Sequence, residues 1–369
     1  MLKTVKTPEL TVRAISAVGV EVPMTYALGT SRGRIVKAPL VLIDVETEQG
    51  VTGRAYLWSY FRQAMPAIAS IFQAVEERTR GEPIVPGELW SKLAERFALI
   101  GVQGIVRMAM SGFDVACWDA LGVAAKLPLA RMLGAEPRPI PAYNSCGLGL
   151  MDDSSALAAE AEQLLSGGFR ALKLRLGYAT LDQDIAAVRA VRKRIGDSVL
   201  LMVDYNQALS VDEALARGRA LDAENIYWLE EPIRHDDYAG AAQLARELKV
   251  PIQLGENFSQ PAAMKIAIEQ HAADYVMPDL ERIGGVTGWR QAADLAAVNR
   301  IQMSSHLFPE VSAHLLAATP TCHFLEYVDW ANVLLQQPLA IADGHAIVPQ
   351  RPGSGMVWDK AAVERHRLR

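Results

Sequence analysis

The sequence predicts an α/β protein in which an N-terminal α+β domain precedes a (β/α) barrel. In the first third, short strands precede helices; from about Pro139, β-branched runs alternate with amphipathic helices at a steady pitch. Alternation over this length indicates a parallel sheet, and seven or eight such units indicate a barrel. An open doubly wound sheet is the alternative, but the first strand–helix turn, Leu174-Arg-Leu-Gly-Tyr178, lacks a glycine-rich phosphate loop.

The N-terminal part is predicted to form three strands and then three helices. Runs rich in β-branched residues predict strands at residues 10–22, 40–45 and 51–57. Apolar residues at helical spacing predict helices near residues 64–80, 86–96 and 104–121. Between the first two strands, residues 26–37 are polar, contain glycine and have no regular period, so we expect a loop there.

The barrel part is predicted to alternate strictly. Its strands are expected at residues 169–174, 199–203, 226–229, 252–254, 275–277, 301–303 and 324–327. The helices between them are expected near residues 181–195, 211–222, 238–248, 261–270, 286–299 and 309–318. After Pro338 the sequence returns to turns and short strands, and we expect this tail to pack back on the N-terminal domain.

Composition excludes several classes of function. The 369 residues include 37 Lys and Arg against 42 Asp and Glu, which argues against a broadly basic surface for nucleic acid. No segment approaches the roughly 18 uninterrupted apolar residues of a membrane span, and the first residues lack the apolar core of a signal peptide. The three cysteines are too far apart to indicate a disulfide framework or a thiolate metal site. We therefore expect a cytoplasmic enzyme that binds neither nucleic acid nor membranes.

Polar residues capable of chemistry occur where the predicted barrel strands end. They are Lys173, Arg175, Asp204, Asn206, Glu230, Glu256, Asp279, His306 and Glu326. A barrel enzyme has its active site at the C-terminal ends of its strands, so these side chains should converge on one mouth. A single acid after a strand is often only the N-cap of the next helix. Polar residues that recur at the end of each successive strand favour a common site instead.

Three of these acids predict a metal site. Asp204, Glu230 and Glu256 follow three consecutive strands, and together they would repel one another strongly without a cation. Oxygen-only ligation favours Mg²⁺ over zinc or copper. Of the adjacent Glu230 and Glu231 only one can face inward, and the spacing does not say which.

A histidine and an aspartate on neighbouring strands predict a general base. Asp279 could orient the imidazole of His306 and raise its basicity. A lone histidine is usually a hydrogen-bonded core residue, but the position of Ser304-Ser305-His306 at a strand end favours a catalytic role.

Taken together, these motifs resemble the enolase superfamily, and specifically its mandelate racemase subgroup. The resemblance covers nearly the whole chain, in residues 38–44, 114–121, 202–207, 230–232, 255–257, 283–288, 303–308 and 312–321. It implies a capping domain with a substrate-closing loop at 1–137, a modified TIM barrel, (β/α)₇β, at 138–330, and a C-terminal segment at 331–369. It also implies a homo-oligomer, an octamer in the subgroup.

The resemblance assigns roles to individual residues. It implies that Asp204, Glu230 and Glu256 bind Mg²⁺, and that Asp279 and His306 form a general-base dyad. By the same resemblance Lys173 neutralises the substrate carboxylate and Glu326 donates a hydrogen bond to the developing enolate. The remaining implied or candidate substrate contacts are Ser145, Asn206, Arg32 and Tyr60. Family members abstract the proton α to a carboxylate, so the implied substrate is a small 2-hydroxycarboxylate.

One motif departs from the pattern of the racemases. They carry Lys-x-Lys where this chain has Lys173-Leu-Arg175, and the second lysine serves there as the base on the face opposite the histidine. Arginine is a poor base because a guanidinium holds its proton tightly, whereas racemisation needs a proton acceptor on each face of the substrate. Dehydration of an acid sugar to a 2-keto-3-deoxy acid needs only the histidine, and we expect this reaction. Racemisation or epimerisation of a 2-hydroxy acid, and a catalytically silent binding protein, are the alternatives.

The implied closing loop is also unusual. Arg32 and Arg34 lie between Leu28 and Ile35, where an aromatic-acid racemase should have an apolar wall. Either arginine could contact a hydroxyl or a second carboxylate of the substrate, or both could simply face solvent.

Overall fold

A computed structural model describes residues 8–368, in which the N-terminal part forms an antiparallel meander packed on three helices. The strands are β1 (Val12–Thr30), β2 (Gly33–Thr47) and β3 (Thr52–Trp58), hydrogen-bonded in that order. The helices are α1 (Ala64–Thr79), α2 (Pro86–Arg96) and α3 (Gly104–Ala125). The long α3 is apolar on nearly all sides and is buried between the meander and the barrel, as such a helix must be.

The second part is a closed barrel of eight parallel strands. After the short α4 (Leu129–Met132), the strands are β4 (Ile140–Asn144), β5 (Ala171–Arg175), β6 (Leu200–Asp204), β7 (Leu229–Glu230), β8 (Ile252–Leu254), β9 (Tyr275–Val276), β10 (Gln302–Met303) and β11 (Leu325–Tyr327). The helices are α5 (Ser154–Leu165), α6 (Leu181–Ile195), α7 (Val211–Leu221), α8 (Tyr238–Glu247), α9 (Pro261–Glu269), α10 (Leu280–Ile283), α11 (Gly285–Asn299) and α12 (Pro309–Ala317).

The barrel closes because β11 pairs in parallel with β4. The backbone N–H of Met303 also donates to the carbonyl of Thr321 at 2.9 Å, which joins the ends of β10 and β11. Each of the seven connections between consecutive strands contains a helix, with both α10 and α11 between β9 and β10, so the predicted (β/α)₇β architecture is confirmed. None of the helices in residues 8–368 has both the length and the apolarity needed to cross a membrane.

Polar caps fix the starts of several barrel helices. The Asp153 carboxylate accepts hydrogen bonds from the first backbone N–H groups of α5. Thr180 with Gln183 and Ser210 with Glu213 form reciprocal capping boxes at α6 and α7. These caps fix the residue at which each helix begins, and therefore the length of the loop that joins it to the preceding strand.

The structure differs from the sequence-based prediction at two places. Strand β4 and helix α5, the first strand–helix unit of the barrel, were not predicted, because β4 contains Pro141 and only one β-branched residue, Ile140. The segment 26–37, expected as a loop, is instead mostly strand, with only Ser31 and Arg32 in the turn. A register shift between Pro23 and Leu28 breaks the alternation there, which removes the usual sequence signal of a strand.

The C-terminal segment contacts both parts of the molecule. A hairpin of β12 (Ala340–Ala342) and β13 (His345–Ile347) extends the sheet through antiparallel pairing with β4. Further on, the indole N–H of Trp358 donates to the Asp44 carboxylate at 2.8 Å. The last helix, α13 (Lys360–His366), lies against β1. The division into 1–137, 138–330 and 331–369 remains a prediction.

Candidate active site

A cavity of about 350 Å³ lies between the barrel mouth and the β1–β2 hairpin. Its polar side comes from the barrel strand ends and includes Lys173, Arg175, Asp204, Asn206, Glu256, His306 and Glu326. Its other side is largely apolar and is formed by Leu28, Ile35, Trp58, Tyr60, Phe61, Leu307 and Trp330. The capping domain therefore supplies most of the wall opposite the barrel residues.

Three carboxylates meet at the polar side. Asp204 and Glu230 end the adjacent strands β6 and β7, and Glu256 follows β8 by two residues. One oxygen from each lies within 4.8 Å of the others, close enough for all three to bind a single cation. Glu231 is not one of these three, and its carboxylate accepts a hydrogen bond from the Asn257 amide at 2.8 Å.

The charge of this cluster fits a divalent cation. The ammonium of Lys173 lies inside this cluster, and it forms ion pairs with Glu230, with Asp204 at 3.3 Å and with Glu326 at 2.8 Å. Burial, together with its acidic neighbours, outweighs Lys173 and raises the pKa of Glu230 to about 8. One lysine thus does not neutralise the buried acids, and a hard dication bound by their oxygens would.

His306 and Asp279 form a dyad at the edge of the same cluster. The imidazole Nδ1 lies 2.6 Å from the Asp279 carboxylate, while Nε2 lies 3.3 Å from Glu256 and 3.8 Å from Glu326. Burial lowers the pKa of His306, but the nearby carboxylates outweigh it and raise the pKa to about 9. Nε2 is therefore the nitrogen directed toward the cavity.

Glu326 is ionised in this arrangement. Burial raises its pKa, but the positive charges of Lys173 and His306 outweigh burial and lower the pKa to about 2. Its Oε2 also accepts the backbone N–H of Leu307 at 2.8 Å. As an ionised carboxylate, Glu326 is a hydrogen-bond acceptor. The donor role implied by the resemblance would require it to gain a proton.

Arg175 lines the cavity with its guanidinium held in place from behind. Nη1 donates to the carbonyls of Ser145 and Gly147 at 2.9 and 2.7 Å, and Nη2 donates to the Ser145 hydroxyl at 3.0 Å. Ser145 is fully buried and does not line the cavity. The structure therefore places Ser145 behind Arg175, where it holds the guanidinium rather than the substrate.

The hairpin candidates have different environments. Arg32 donates to the backbone carbonyls of Asn206, at 3.2 Å, and Gln207, so its charge is engaged by the barrel loop after β6. Arg34 lines the cavity, and its side chain makes no hydrogen bond or ion pair within residues 8–368. Asn206 also lines the cavity, and its amide donates to the Asp204 carboxylate at 3.0 Å.

Tyr60 faces a cation that sequence reasoning missed. The Arg282 guanidinium lies 4.9 Å from the centre of the Tyr60 ring and donates to the Glu256 carbonyl at 3.0 Å and to the Asn257 side chain. Arg282 was passed over because it lies inside a helix, three residues beyond the strand-end position of Asp279. Trp58 and Trp330, which form part of the apolar wall, were missed because apolar residues at strand ends resemble core residues.

Both parts of the chain match one known family. Residues 12–134 match the mandelate racemase/muconate lactonizing enzyme N-terminal domain, and residues 156–362 match the enolase C-terminal domain-like family. Among curated proteins, the chain is 31% identical over 343 residues to the 3,6-anhydro-alpha-L-galactonate cycloisomerase of Streptomyces coelicolor, covering 91% of this chain and 93% of that protein. It is 30% identical to the L-talarate/galactarate dehydratase of Salmonella typhimurium, covering 89% and 82%.

Solved structures are also similar to this chain. An enolase from alpha proteobacterium bal199 with bound Mg superposes with a TM-score of 0.95 at 41% identity, covering 97% of this chain and 100% of that one. An enolase from Bradyrhizobium, complexed with magnesium and mandelic acid, gives 0.92 at 38% identity, covering 99% and 100%. The acidic triad and these magnesium-bound structures agree with the predicted cofactor. The chain belongs to the mandelate racemase/muconate lactonizing enzyme family of the enolase superfamily.

Proposed function

We propose that this protein is a Mg²⁺-dependent lyase that removes the α-proton of a 2-hydroxycarboxylate and then eliminates the β-hydroxyl of an acid sugar. The observation that carries the proposal is the placement of the His306–Asp279 dyad beside the triad of Asp204, Glu230 and Glu256 in one cavity. The dehydratases among its relatives act on galactarate, arabinonate and xylonate.

The substrate carboxylate is expected to bind where the positive charges meet. Asp204, Glu230 and Glu256 would hold the metal, which when bound supplies positive charge to the substrate carboxylate. Lys173 adds a second positive charge from the barrel floor. Negative charge that develops when the α-proton leaves is stabilised by these fixed charges, which need no rearrangement during the reaction.

The proton is taken by Nε2 of His306. Asp279 fixes the ring through Nδ1, so Nε2 has a free lone pair when the imidazole is neutral. In the elimination, the Cα–H electrons form the C=C bond as the β-hydroxyl departs. His306 returns the proton to this hydroxyl to release water, and the enol then converts to a 2-keto acid. One base is sufficient for both proton transfers.

Arg175 supports a single-base reaction. Ser145 and Gly147 hold its guanidinium against the cavity, where the side chain can stabilise the negative charge of the developing enediolate. Arg34, which has no partner within residues 8–368, is the candidate contact for a distal hydroxyl or carboxylate of the sugar acid.

The apolar wall favours a second candidate function. Leu28, Ile35, Trp58, Phe61 and Trp330 would bind an aryl substituent better than a polyol. The similar Bradyrhizobium structure is complexed with mandelic acid. An aryl 2-hydroxy acid, racemised or exchanged at its α-carbon, is therefore the alternative substrate class.

A substrate screen tests both candidates. Purified protein with Mg²⁺ should be incubated with a library of aldonic and aldaric acids, and 2-keto acid formation measured, with mandelate racemisation followed by polarimetry. The proposal expects 2-keto acid from at least one sugar acid, lost in EDTA and in His306→Asn. Racemisation of mandelate without any dehydration would favour the second candidate. If no substrate is turned over but the protein still binds a 2-hydroxy acid, it is a binding protein.

A further inference from the structure

We propose that Glu281 is a positioning residue whose hydrogen bonds tie the aromatic wall of the cavity to the strand end carrying the general-base dyad. The inference rests on the proposed function, because it concerns how substrate is held against His306. Glu281 belongs to α10, just after β9, and it is only 1% exposed.

Two hydrogen bonds place Glu281 between the capping domain and the dyad. Its Oε2 accepts the backbone N–H of Trp58, at the end of β3, at 3.0 Å. Its own backbone N–H donates to Oδ1 of Asp279 at 2.8 Å, while Oδ2 of Asp279 lies 2.6 Å from Nδ1 of His306. A continuous path therefore runs from the β3 backbone to the imidazole.

The residue that Glu281 holds is a central part of the apolar wall. Trp58 lines the cavity, its ring lies 4.4 Å from that of Trp330, and it packs edge-on against Tyr60 at 5.8 Å. If the Trp58 backbone shifts, the two neighbouring aromatic rings must shift with it. The distance between this wall and His306 thus depends on the Glu281 side chain.

The surroundings of Glu281 favour the uncharged acid. Its Oε1 is buried and has no hydrogen-bond partner within residues 8–368. Burial and the Asp279 carboxylate raise the pKa of Glu281 well above its ordinary value, and the Arg282 and His306 charges offset this only in part. The other ionisable groups near it are Tyr56, Tyr60 and, through its hydrogen bond to Tyr56, Glu310.

A neutral Glu281 explains why two carboxyl groups can lie so close together. Two negative charges buried side by side at this point would be costly. A neutral acid still accepts the Trp58 N–H through its carbonyl oxygen. Glutamine has the same shape and the same acceptor, so it should replace Glu281, whereas leucine would leave the Trp58 N–H buried and unpaired.

The test compares Glu281→Gln and Glu281→Leu in the full-length enzyme, with Glu310→Leu as control. Glu310 is also a buried acid with one unpaired oxygen, but it holds the Tyr56 hydroxyl and does not line the cavity. KM and kcat should be measured on the best substrate of the screen, together with Tm and the Kd for mandelate with Mg²⁺.

We expect Glu281→Gln to keep KM and kcat within about twofold of wild type. Glu281→Leu should raise KM and the Kd for mandelate by about tenfold, more than it lowers kcat, because a buried N–H loses its partner. Glu310→Leu should lower Tm without this rise in KM. The inference would be overturned if Glu281→Gln raised KM and the Kd for mandelate as much as Glu281→Leu does. It would also be overturned if Glu281→Leu left both values unchanged. A wild type without turnover would instead count against the proposed function, and the mandelate Kd would still test Glu281.

Discussion

Two adjacent glutamates at the end of β7 face different partners, and this decides which can join a metal site. Glu230 contacts Lys173 and lies in the acidic triad, whereas Glu231 contacts Asn257. The backbone of Glu231 is left-handed, with φ of 35°, which breaks the alternation of a strand. Sequence spacing could not separate the two residues, because that local twist has no signal in the residue types.

The metal assignment is tested by a matched pair of variants. Glu230→Gln should weaken Mg²⁺ binding by roughly 10- to 100-fold and abolish turnover, because one anionic ligand is lost. Glu231→Gln should change the Mg²⁺ affinity far less, since the amide oxygen can still accept from Asn257. Isothermal titration calorimetry with MgCl₂ measures the Mg²⁺ affinity of both variants. Equal losses in the two variants would mean that the ligand assignment is wrong.

The assignment of the base predicts the effect of removing one imidazole. His306→Asn should reduce kcat by roughly 10²- to 10⁴-fold, the usual range for loss of a general base, and leave KM little changed. Asp279→Asn should also be severe, because the ring loses the carboxylate that orients it. Steady-state kinetics on the same substrate gives both values. A kcat near that of wild type in His306→Asn would place the base elsewhere.

Arg175 determines the stereochemical prediction. A guanidinium keeps its proton near neutral pH, so it cannot serve as the second base. The wild type should therefore not interconvert the enantiomers of a 2-hydroxy acid. Arg175→Lys should gain slow racemisation, since Lys173 and Mg²⁺ nearby would lower the pKa of the new lysine, and its neutral amine can then act as a base. Polarimetry follows the reaction. Rapid racemisation by the wild type would replace the single-base account with the racemase alternative.

At the scale of elements, the β1–β2 hairpin closes the cavity because its tip is bound to the barrel. The Ser31 hydroxyl donates to the Tyr205 carbonyl at 3.2 Å, and Arg32 donates to the carbonyls of the next two residues. A β-carbon on Gly149 would lie 2.6 Å from the backbone nitrogen of Gly29, so only glycine permits this close packing.

Removing the Arg32 contacts should therefore loosen the hairpin. Arg32→Ala is expected to raise KM by roughly tenfold and to increase hydrogen exchange across residues 26–36, because two hydrogen bonds from a charged group are lost. Lys37→Ala, which removes only an exposed pair with Glu21, is the control. Unchanged exchange in Arg32→Ala would show that other contacts hold the tip.

The elements also show how far the sequence can be interpreted. Strand–helix alternation located seven of the eight barrel strands, because β-branched runs and helix caps are local features. It missed β4, which contains a proline and only one β-branched residue. It also predicted a loop for the tip of the hairpin, because a register shift hides the alternation there. Strand-end position found the acids and the dyad, whereas the aromatic wall and Glu281 depend on how two parts of the chain pack together.

At the scale of the whole molecule, one buried histidine connects three regions. His314 of α12 accepts the backbone N–H of Ala130 at Nδ1, at 3.3 Å, and its Nε2 donates to the Ser354 carbonyl at 3.2 Å. Both nitrogens are used by the neutral ring, so protonation would break the contact with Ala130. Burial lowers the pKa of His314 to about 4.

Acid should therefore destabilise the fold through His314. Its pKa is lower in the folded state than in the unfolded state, so its contribution is fully present above pH 6.5 and is lost as the pH falls toward 4. The expected loss is about 3 kcal/mol of unfolding free energy. Urea unfolding at pH 7 and pH 4.5 should show a smaller pH-dependent loss in His314→Gln than in wild type. Parallel losses in the two proteins would exclude His314 as the cause.

The central claim is that His306, aided by Mg²⁺, removes the α-proton of a 2-hydroxycarboxylate. NMR in D₂O, following the Cα–H signal of each acid that the protein binds, tests this most directly. The account predicts that the signal disappears for one configuration only, with wild type and Mg²⁺, and persists with EDTA or with His306→Asn. A Cα–H signal that persists with the wild type and Mg²⁺ for every bound acid, or that disappears equally fast with His306→Asn, would contradict it.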